Sequence, residues 1–177
     1  MMERRLIPIL ILSLSLLLLQ NCQQDADSGS IEADPSLPQL SLLPSAETGI
    51  NFKNEITESP NRNLGHYDYF FNGSGLAVGD FNNDRLPDVF FCGNDVDNKL
   101  YFNQGDWKFE DVTATAGLDS KNKWSTGATV VDINEDGWLD IYICNSGPTN
   151  NTQALTNQLY VNNQDGTFTN RIEEYLN

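Results

Sequence analysis

The strongest constraint on this chain is an internal repeat. Gly75 to Cys92, Gly-Leu-Ala-Val-Gly-Asp-Phe-Asn-Asn-Asp-Arg-Leu-Pro-Asp-Val-Phe-Phe-Cys, aligns without a gap on Gly127 to Cys144. Asp80, Asn82, Asp84, Asp88 and Cys92 each recur 52 residues on. Leu100-Tyr101-Phe102-Asn103 then returns as Leu159-Tyr160-Val161-Asn162, after a loop that is seven residues longer in the second copy, and Phe109 returns as Phe168. A fainter echo lies upstream, where Ala46-Glu47-Thr48-Gly49-Ile50 resembles Ala114-Thr115-Ala116-Gly117-Leu118. A unit that repeats at such a period cannot bury its apolar face alone, so each copy has to be covered by a neighbour of its own kind.

Each copy reads as four short strands. The first predicts strands over 76–81, 88–92, 99–103 and 108–113, the second over 128–133, 140–144, 158–162 and 167–171. Gly93-Asn94, Gly105-Asp106, Gly147-Pro148 and Asp165-Gly166 supply the turns between them. Val89-Phe90-Phe91 and Ile141-Tyr142-Ile143 are continuously apolar rather than alternating, as in strands covered on both faces by stacked sheets. Four-stranded units stacked face to face are the blades of a propeller. The expected fold class is therefore all-β: two four-stranded propeller-type blades, an incomplete propeller, preceded by a signal peptide and a flexible tether.

Between the first two strands of each copy lies a loop crowded with side-chain oxygens. Carboxylates and an amide on alternate positions repel one another unless a cation sits among them. A tight loop serves a hard divalent ion from positions 1, 3 and 5, a carbonyl at 7 and a carboxylate at 9. Here those donors are Asp80, Asn82, Asp84, the Leu86 carbonyl and Asp88, and again Asp132, Asn134, Asp136, the Trp138 carbonyl and Asp140. Calcium suits such a set better than magnesium, because the ligands are many and flexible. Ordinary turns also use Asp, Asn and Gly, but they do not require oxygens on four matched positions twice over. A helix-flanked loop of the EF-hand type is excluded by the strand-forming residues on either side. Gly137 occupies the sixth position of the second loop, where a sharp bend needs a permissive backbone. Arg85 holds that position in the first, so the second loop is expected to bind the more tightly.

The amino terminus reads as an export signal over 1–21. Arg4 and Arg5 precede an apolar run from Leu6 to Leu19, too short for a comfortable membrane span. Leu19-Gln20-Asn21-Cys22 resembles a bacterial lipobox with Cys22 as the lipidated residue, although Gln20 and Asn21 depart from the usual small residues. An ordinary signal peptide with an incidental cysteine is the alternative. Residues 22–41 are rich in Gln, Asp, Ser and Pro and read as a flexible acidic tether. Its acids either accompany display on the outer face of the membrane, as in bacterial surface lipoproteins, or simply solvate a linker. A lead-in segment with an outer strand is expected over 42–74, the first repeat over 75–118 and the second over 119–177.

The net charge is −15. Removing the first 21 residues leaves 8 basic and 24 acidic side chains, a net of −16. Such a surface repels nucleic acid and anionic lipid, which leaves a lipid anchor as the only membrane contact expected. The three cysteines are an odd number and do not read as a disulfide framework. Cys92 and Cys144, at equivalent strand positions among apolar neighbours, read as buried free thiols. His66 is the only histidine and has no nucleophile motif beside it, so no catalytic constellation stands out. Trp107, Trp124 and Trp138 with Tyr67, Tyr69 and Tyr101 make either an aromatic platform for sugar or simply packing residues.

The chain resembles the FG-GAP or VCBS-type repeat family, and more narrowly the cartilage-acidic-protein and ASPIC-related group of bacterial surface proteins. The resemblance rests on the two Asp-x-Asn-x-Asp-x-x-x-Asp loops, on Asn98 to Asn103 and Asn157 to Asn162, and on Phe109 to Thr113 running into Ala116-Gly117-Leu118. It implies a calcium-binding β-propeller, typically of about seven blades, acting in extracellular adhesion or recognition. With two blades in view, the chain is expected to be a truncated member of a longer family or to self-associate and complete its blade stack. Two functional readings follow. One is an exported, outer-membrane lipoprotein that is a calcium-stabilised, surface-exposed binding module for extracellular protein or glycan. The other is a scaffold fragment whose activity, enzymatic or not, lies in further repeats. Recognition is expected in the loops Asp95 to Lys99 and Ser146 to Gln158.

Overall fold

A computed structural model describes residues 40–149 and 151–175. The export signal, Cys22 and nearly all of the tether lie outside those residues. Eight strands appear, β1 (Leu76–Gly79), β2 (Asp88–Phe91), β3 (Lys99–Asn103), β4 (Phe109–Asp111), β5 (Ser125–Val131), β6 (Asp140–Asn145), β7 (Gln158–Asn162) and β8 (Phe168–Asn170). They form two antiparallel four-stranded sheets in meander order, β1-β2-β3-β4 and β5-β6-β7-β8. Both are the four-stranded units expected of propeller blades, and the fold is all-β. Among the described residues no helix is long and apolar enough to cross a membrane.

The two sheets share one register. Leu76 faces Phe91 and Gly79 faces Asp88 in the first; Ala128 faces Ile143 and Val131 faces Asp140 in the second. Phe90 opposite Leu100 is matched by Tyr142 opposite Leu159, and Asn103 opposite Phe109 by Asn162 opposite Phe168. Asn103 and Asn162 each fold their side-chain oxygen onto the amide two residues on, at 2.9 Å, which starts the turn into the last strand. Because side chains alternate between faces with a period of two, a shared register puts equivalent residues on equivalent faces.

The core is the junction between the sheets. Ala77, Phe81, Phe90, Cys92 and Leu100 of the first meet Ile141, Ile143, Tyr160 and Phe168 of the second, with Ala116 of the connector between them. Phe81 and Phe90 are fully buried, each contributing about 2–3 kcal/mol by leaving water. The approach is closest at two glycines: a Cβ on Gly75 would lie 2.5 Å from the Gly127 Cα. Asn162 Nδ2 donates across the junction to the Phe81 carbonyl at 2.8 Å, and Asn83 Nδ2 to the Gly137 carbonyl at 3.3 Å.

The outer strand expected within 42–74 is absent. That stretch forms a one-turn helix (Ser45–Thr48) and a series of turns, with a single bridge between Ser59 and Arg62. Pro44 and Pro60 lack the amide a strand would need, and Asn63 spends its side chain on the Gly65 amide and on the carbonyls of Ser59 and Pro60. The upstream sequence echo nevertheless has a structural counterpart. Gly117 sits against the Phe168 carbonyl while the Ala116 carbonyl accepts from the Phe168 amide, and Gly49 sits against the carbonyl of Phe109. The Tyr160 hydroxyl binds the Asp119 backbone and that of Tyr101 the Asn51 backbone. Segments 46–51 and 114–119 are therefore the same connector, each laid along the sheet that follows it. Residues 114–118, grouped by sequence with the first repeat, pack on the second.

Candidate functional site

The two acidic loops fold alike, atom for atom. In the first, Asp80 accepts the amides of Asp84 at 3.1 Å and Arg85 at 2.8 Å. Asp84 accepts the Leu86 amide, and Asn82 bridges to Asp84 through both its oxygen and its nitrogen. In the second, Asp132 accepts the amides of Asp136 and Gly137, Asp136 that of Trp138, and Asn134 bridges to Asp136. Gln164 adds a donor to Asp136 at 3.0 Å. That bond and the Trp138 amide hold the Asp136 carboxyl below its ordinary range.

The sharp bend has the predicted backbone requirement. Gly137 has φ 84° and Arg85, at the same position, φ 73°. A left-handed conformation costs a residue with a Cβ roughly 1–2 kcal/mol, so Arg85 carries strain that Gly137 avoids, while two positions earlier Glu135 (φ 58°) carries it in the second loop where the first has the more tolerant Asn83 (φ 57°).

Asp88 and Asp140 play a different part from the other acids. Both are fully buried at the start of their strands. The two oxygens of Asp88 accept the Phe81 and Asn103 amides, each at 2.8 Å; those of Asp140 accept the Ile133 and Asn162 amides at 2.9 and 2.8 Å. Each thus ties the loop, the second strand and the third strand together. Burial, with a smaller contribution from the charges of Asp84 and Asp80, pushes the Asp88 carboxyl up to about 6 against the pull of those two amides. Asp140 is raised for the same reasons, with Asp136 and Asp132 as its acidic neighbours.

Among the described residues, no group of three or more His, Cys, Asp or Glu side chains is drawn together as a ready-made metal cage. The loops turn their acceptors onto their own amides instead. The donor chemistry still fits a hard divalent ion. A carboxylate offers about four acceptor sites, and Asp80, Asp88, Asp132 and Asp140 each spend two, so lone pairs remain on every acid. Asp80 and Asp84 raise the proton affinity of Asp88, and Asp132 and Asp136 that of Asp140, an electrostatic tension that a cation relieves.

The loops expected to carry recognition meet at the opposite ends of the strands. Asn94 to Asp97 and Thr149, Asn151 and Ala154 line one cleft of about 450 Å³, with Ser120, Lys123, Trp124 and Arg62. Arg62 pairs with Asp95 and lies 5.0 Å from the Trp124 ring. Lys123 is anchored on the carbonyls of Gln153 and Thr156, and its desolvation lowers its pKa. Asn94, almost fully buried, joins the lead-in to the second sheet through Asn54 and the Ser125 carbonyl. Sequence reasoning missed Arg62, since nothing in the order of residues signals that the lead-in folds back over Trp124.

The aromatic side chains do not gather into a platform. Trp124 is buried against Phe70, Tyr67 and Arg62, whereas Trp107 is 70% exposed and lies with Val78, Val89 and Phe109. His66 is exposed and contacts Asn63. The cysteines also part company: burial pushes the Cys92 thiol up to about 12, while Cys144 is exposed. Cys92 faces the junction; Cys144, on the same face of the second sheet, has no sheet packed over it.

Comparison with known proteins agrees with this architecture. Residues 80–143, which run from the first acidic loop into β6, match a family described as FG-GAP-like repeat. Cartilage acidic protein 1 from Homo sapiens is 35% identical over 77 residues, and the proteins of the same name from Mus musculus and Xenopus tropicalis match at the same level. Those matches cover 43% of this chain and only 12% of each relative. The repeated acidic loop and the two four-stranded sheets in one register are thus what this chain shares with FG-GAP-like repeats, over the part of the chain that the match spans, and the sheets are of the kind that propeller blades use.

Proposed function

We propose that this chain is a non-enzymatic, calcium-stabilised binding module, exported and held at the cell surface by a lipid on Cys22, that recognises an extracellular protein or glycan. The observation that carries the calcium reading is the recurrence of one loop conformation with one oxygen set in both sheets. Asp132, Asn134, Asp136, the Trp138 carbonyl and Asp140 would hold the ion in the second loop, and Asp80, Asn82, Asp84, the Leu86 carbonyl and Asp88 in the first. A bound calcium supplies positive charge to acids that otherwise repel. The role is structural, because Asp88 and Asp140 link each loop to two strands of its sheet.

Recognition is assigned to the cleft between the Asn94–Asp97 and Thr149–Ala154 loops. It offers amides, hydroxyls and carboxylates around a fixed Arg62 and Lys123. Such polar lining suits hydrogen bonding to a glycan or a polar peptide more than burial of an apolar ligand.

Thermal unfolding with excess calcium and with chelator tests the calcium reading. At ten times the dissociation constant each site adds about 1.4 kcal/mol, so calcium should raise the melting temperature and Asp136→Ala should remove most of the second loop's share. Superimposable melts in calcium and chelator would end this reading.

A further inference from the structure

The stretch before the first sheet carries an insertion. Ala46 to Ile50 precede their counterparts, Ala114 to Leu118, by 68 residues, whereas Ser74 precedes Thr126 by 52, so the lead-in is sixteen residues longer than the matching stretch before β5. In repeat architectures such insertions fall in loops on one face, often the face that binds. Here the extra residues turn back over Trp124 and bring two tyrosines together. Tyr67 and Tyr69 meet edge to face with ring centroids 5.8 Å apart, and Tyr67 meets Trp124 in the same way at 6.3 Å. Tyr69 is 64% exposed, yet its neighbour Phe70 is fully buried 5.4 Å from the Trp124 ring and donates its amide to the Tyr67 carbonyl. An aromatic ring held out in water by an anchored turn is a preorganised contact.

With Asn72, Ser74, Thr126 and Ser146, the two tyrosines line a pocket of about 300 Å³, at the lower end of the volumes that hold small ligands. Ser74 and Thr126 immediately precede Gly75 and Gly127, where the sheets approach most closely. The walls therefore come from the lead-in and from both sheets at their seam, not from a sheet face left uncovered. The polar groups are partly spent. Ser74 Oγ donates to the Cys92 carbonyl at 2.5 Å and Thr126 Oγ1 to the Cys144 carbonyl at 3.2 Å, so each oxygen keeps lone pairs for a donor. The Tyr67 hydroxyl and Ser146 Oγ lie 3.2 Å apart, which leaves one of their two protons free. Asn72 is exposed, and its side-chain amide makes no hydrogen bond among the described residues.

This lining selects among ligands by the charges it lacks. Asp68, between the tyrosines, is exposed and lies outside it, and no Lys, Arg, Asp or Glu side chain faces the pocket. An anion would find no cation there and would approach against a net charge of −15; a cation would find no carboxylate. An apolar ligand would strand the hydroxyls and the amide. What suits the pocket is a neutral molecule with an apolar C–H face for a tyrosine ring and a rim of hydroxyls for Ser74, Thr126, Ser146 and Asn72. We infer that it binds one neutral hexopyranose residue, with the C–H face of the sugar on Tyr69. This rests on the reading of these loops as the recognition end and deepens it, naming the sugar class and placing it beside the charged cleft. Trp124 lines that cleft and also backs Tyr67.

The test is titration calorimetry of the full chain with calcium, in a detergent that has no sugar headgroup and masks the Leu6–Leu19 run. The probes are neutral hexasaccharides of glucose, galactose and mannose, with polygalacturonate as the anionic counterpart. The expected result is that at least one neutral hexasaccharide binds and that polygalacturonate binds about tenfold more weakly or not at all. Tyr69→Ala should weaken the neutral sugar by about tenfold or more, whereas Tyr69→Phe, which keeps the ring, should stay within about threefold. Because Tyr69 is largely exposed, neither variant should shift the melting temperature. A neutral sugar held equally well by Tyr69→Ala, or a preference for polygalacturonate, overturns the inference. If that retained binding is lost in Asp97→Ala, the sugar sits in the cleft, and the wider recognition reading stands while this one falls. Binding of none of the neutral sugars at millimolar concentration also overturns it, and a peptide array probed with the same protein then tests the wider reading separately.

Discussion

Gly75 and Gly127 are twins in the repeat, yet the same substitution should affect them in opposite ways. A Cβ on Gly75 would lie 2.5 Å from the Gly127 Cα, 2.9 Å from the Ala128 nitrogen and 3.0 Å from the Gly127 carbonyl carbon. All three are backbone atoms, so no side chain can rotate away. Ordinary contact would require the inner strands to separate by about 1 Å, and a gap of that size forfeits a quarter to a half of each dispersion contact lining it. Overpacking of this kind costs about 1–3 kcal/mol, offset by about 0.4–1 kcal/mol from the less flexible unfolded chain. Gly127→Ala meets nothing within 4 Å and keeps the unfolded-chain gain alone. Gly75→Ala should thus melt roughly 5–10 °C below Gly127→Ala, taking about 2 kcal/mol between them. Differential scanning calorimetry at low protein concentration, with calcium present, measures the difference. Equal melting temperatures would refute the idea that the sheets are held at backbone contact.

Two further outcomes follow from burial. The folded-state value for Asp88, about 6, lies above its ordinary 3.8, and Asp140 is shifted the same way. The folded chain therefore holds these protons more tightly than the unfolded one. In chelator, stability should be fully present near pH 4 and fall as the pH rises through about 6, by at most about 3 kcal/mol for Asp88. Calcium favours the ionised acids, so the stabilisation it adds should grow across the same window. Melting temperatures in chelator that climb from pH 4.5 to 7 would contradict the assignment. Cys144 should react with a thiol reagent in the native monomer, while Cys92, buried and shifted up to about 12, should react only on unfolding. Equal labelling rates at the two peptides would show that the junction does not seal.

The sequence alone determined the repeat unit. A gap-free match of 18 residues, offset by 52, carries register with it, because turns and apolar pattern recur together. The strand pairs therefore emerge where the pattern placed them, to within a residue or two except at the start of β5, which a bulge between Ser125 and Gly127 extends forward. The acidic loops were equally legible, since their residue types and spacing are local properties of the chain.

Tertiary structure alone decided what the repeat could not distinguish. Two copies with one pattern have identical expectations for Cys92 and Cys144, or for Phe81 and Ile133, yet one of each pair lies under a neighbouring sheet and the other does not. Burial depends on what stands opposite, and no local pattern records that. The part played by Asp88 and Asp140 was hidden for a similar reason. Their oxygens meet amides on β3 and β7, far along the chain, so a residue that reads as a loop ligand is also the bolt that fastens each loop to its sheet.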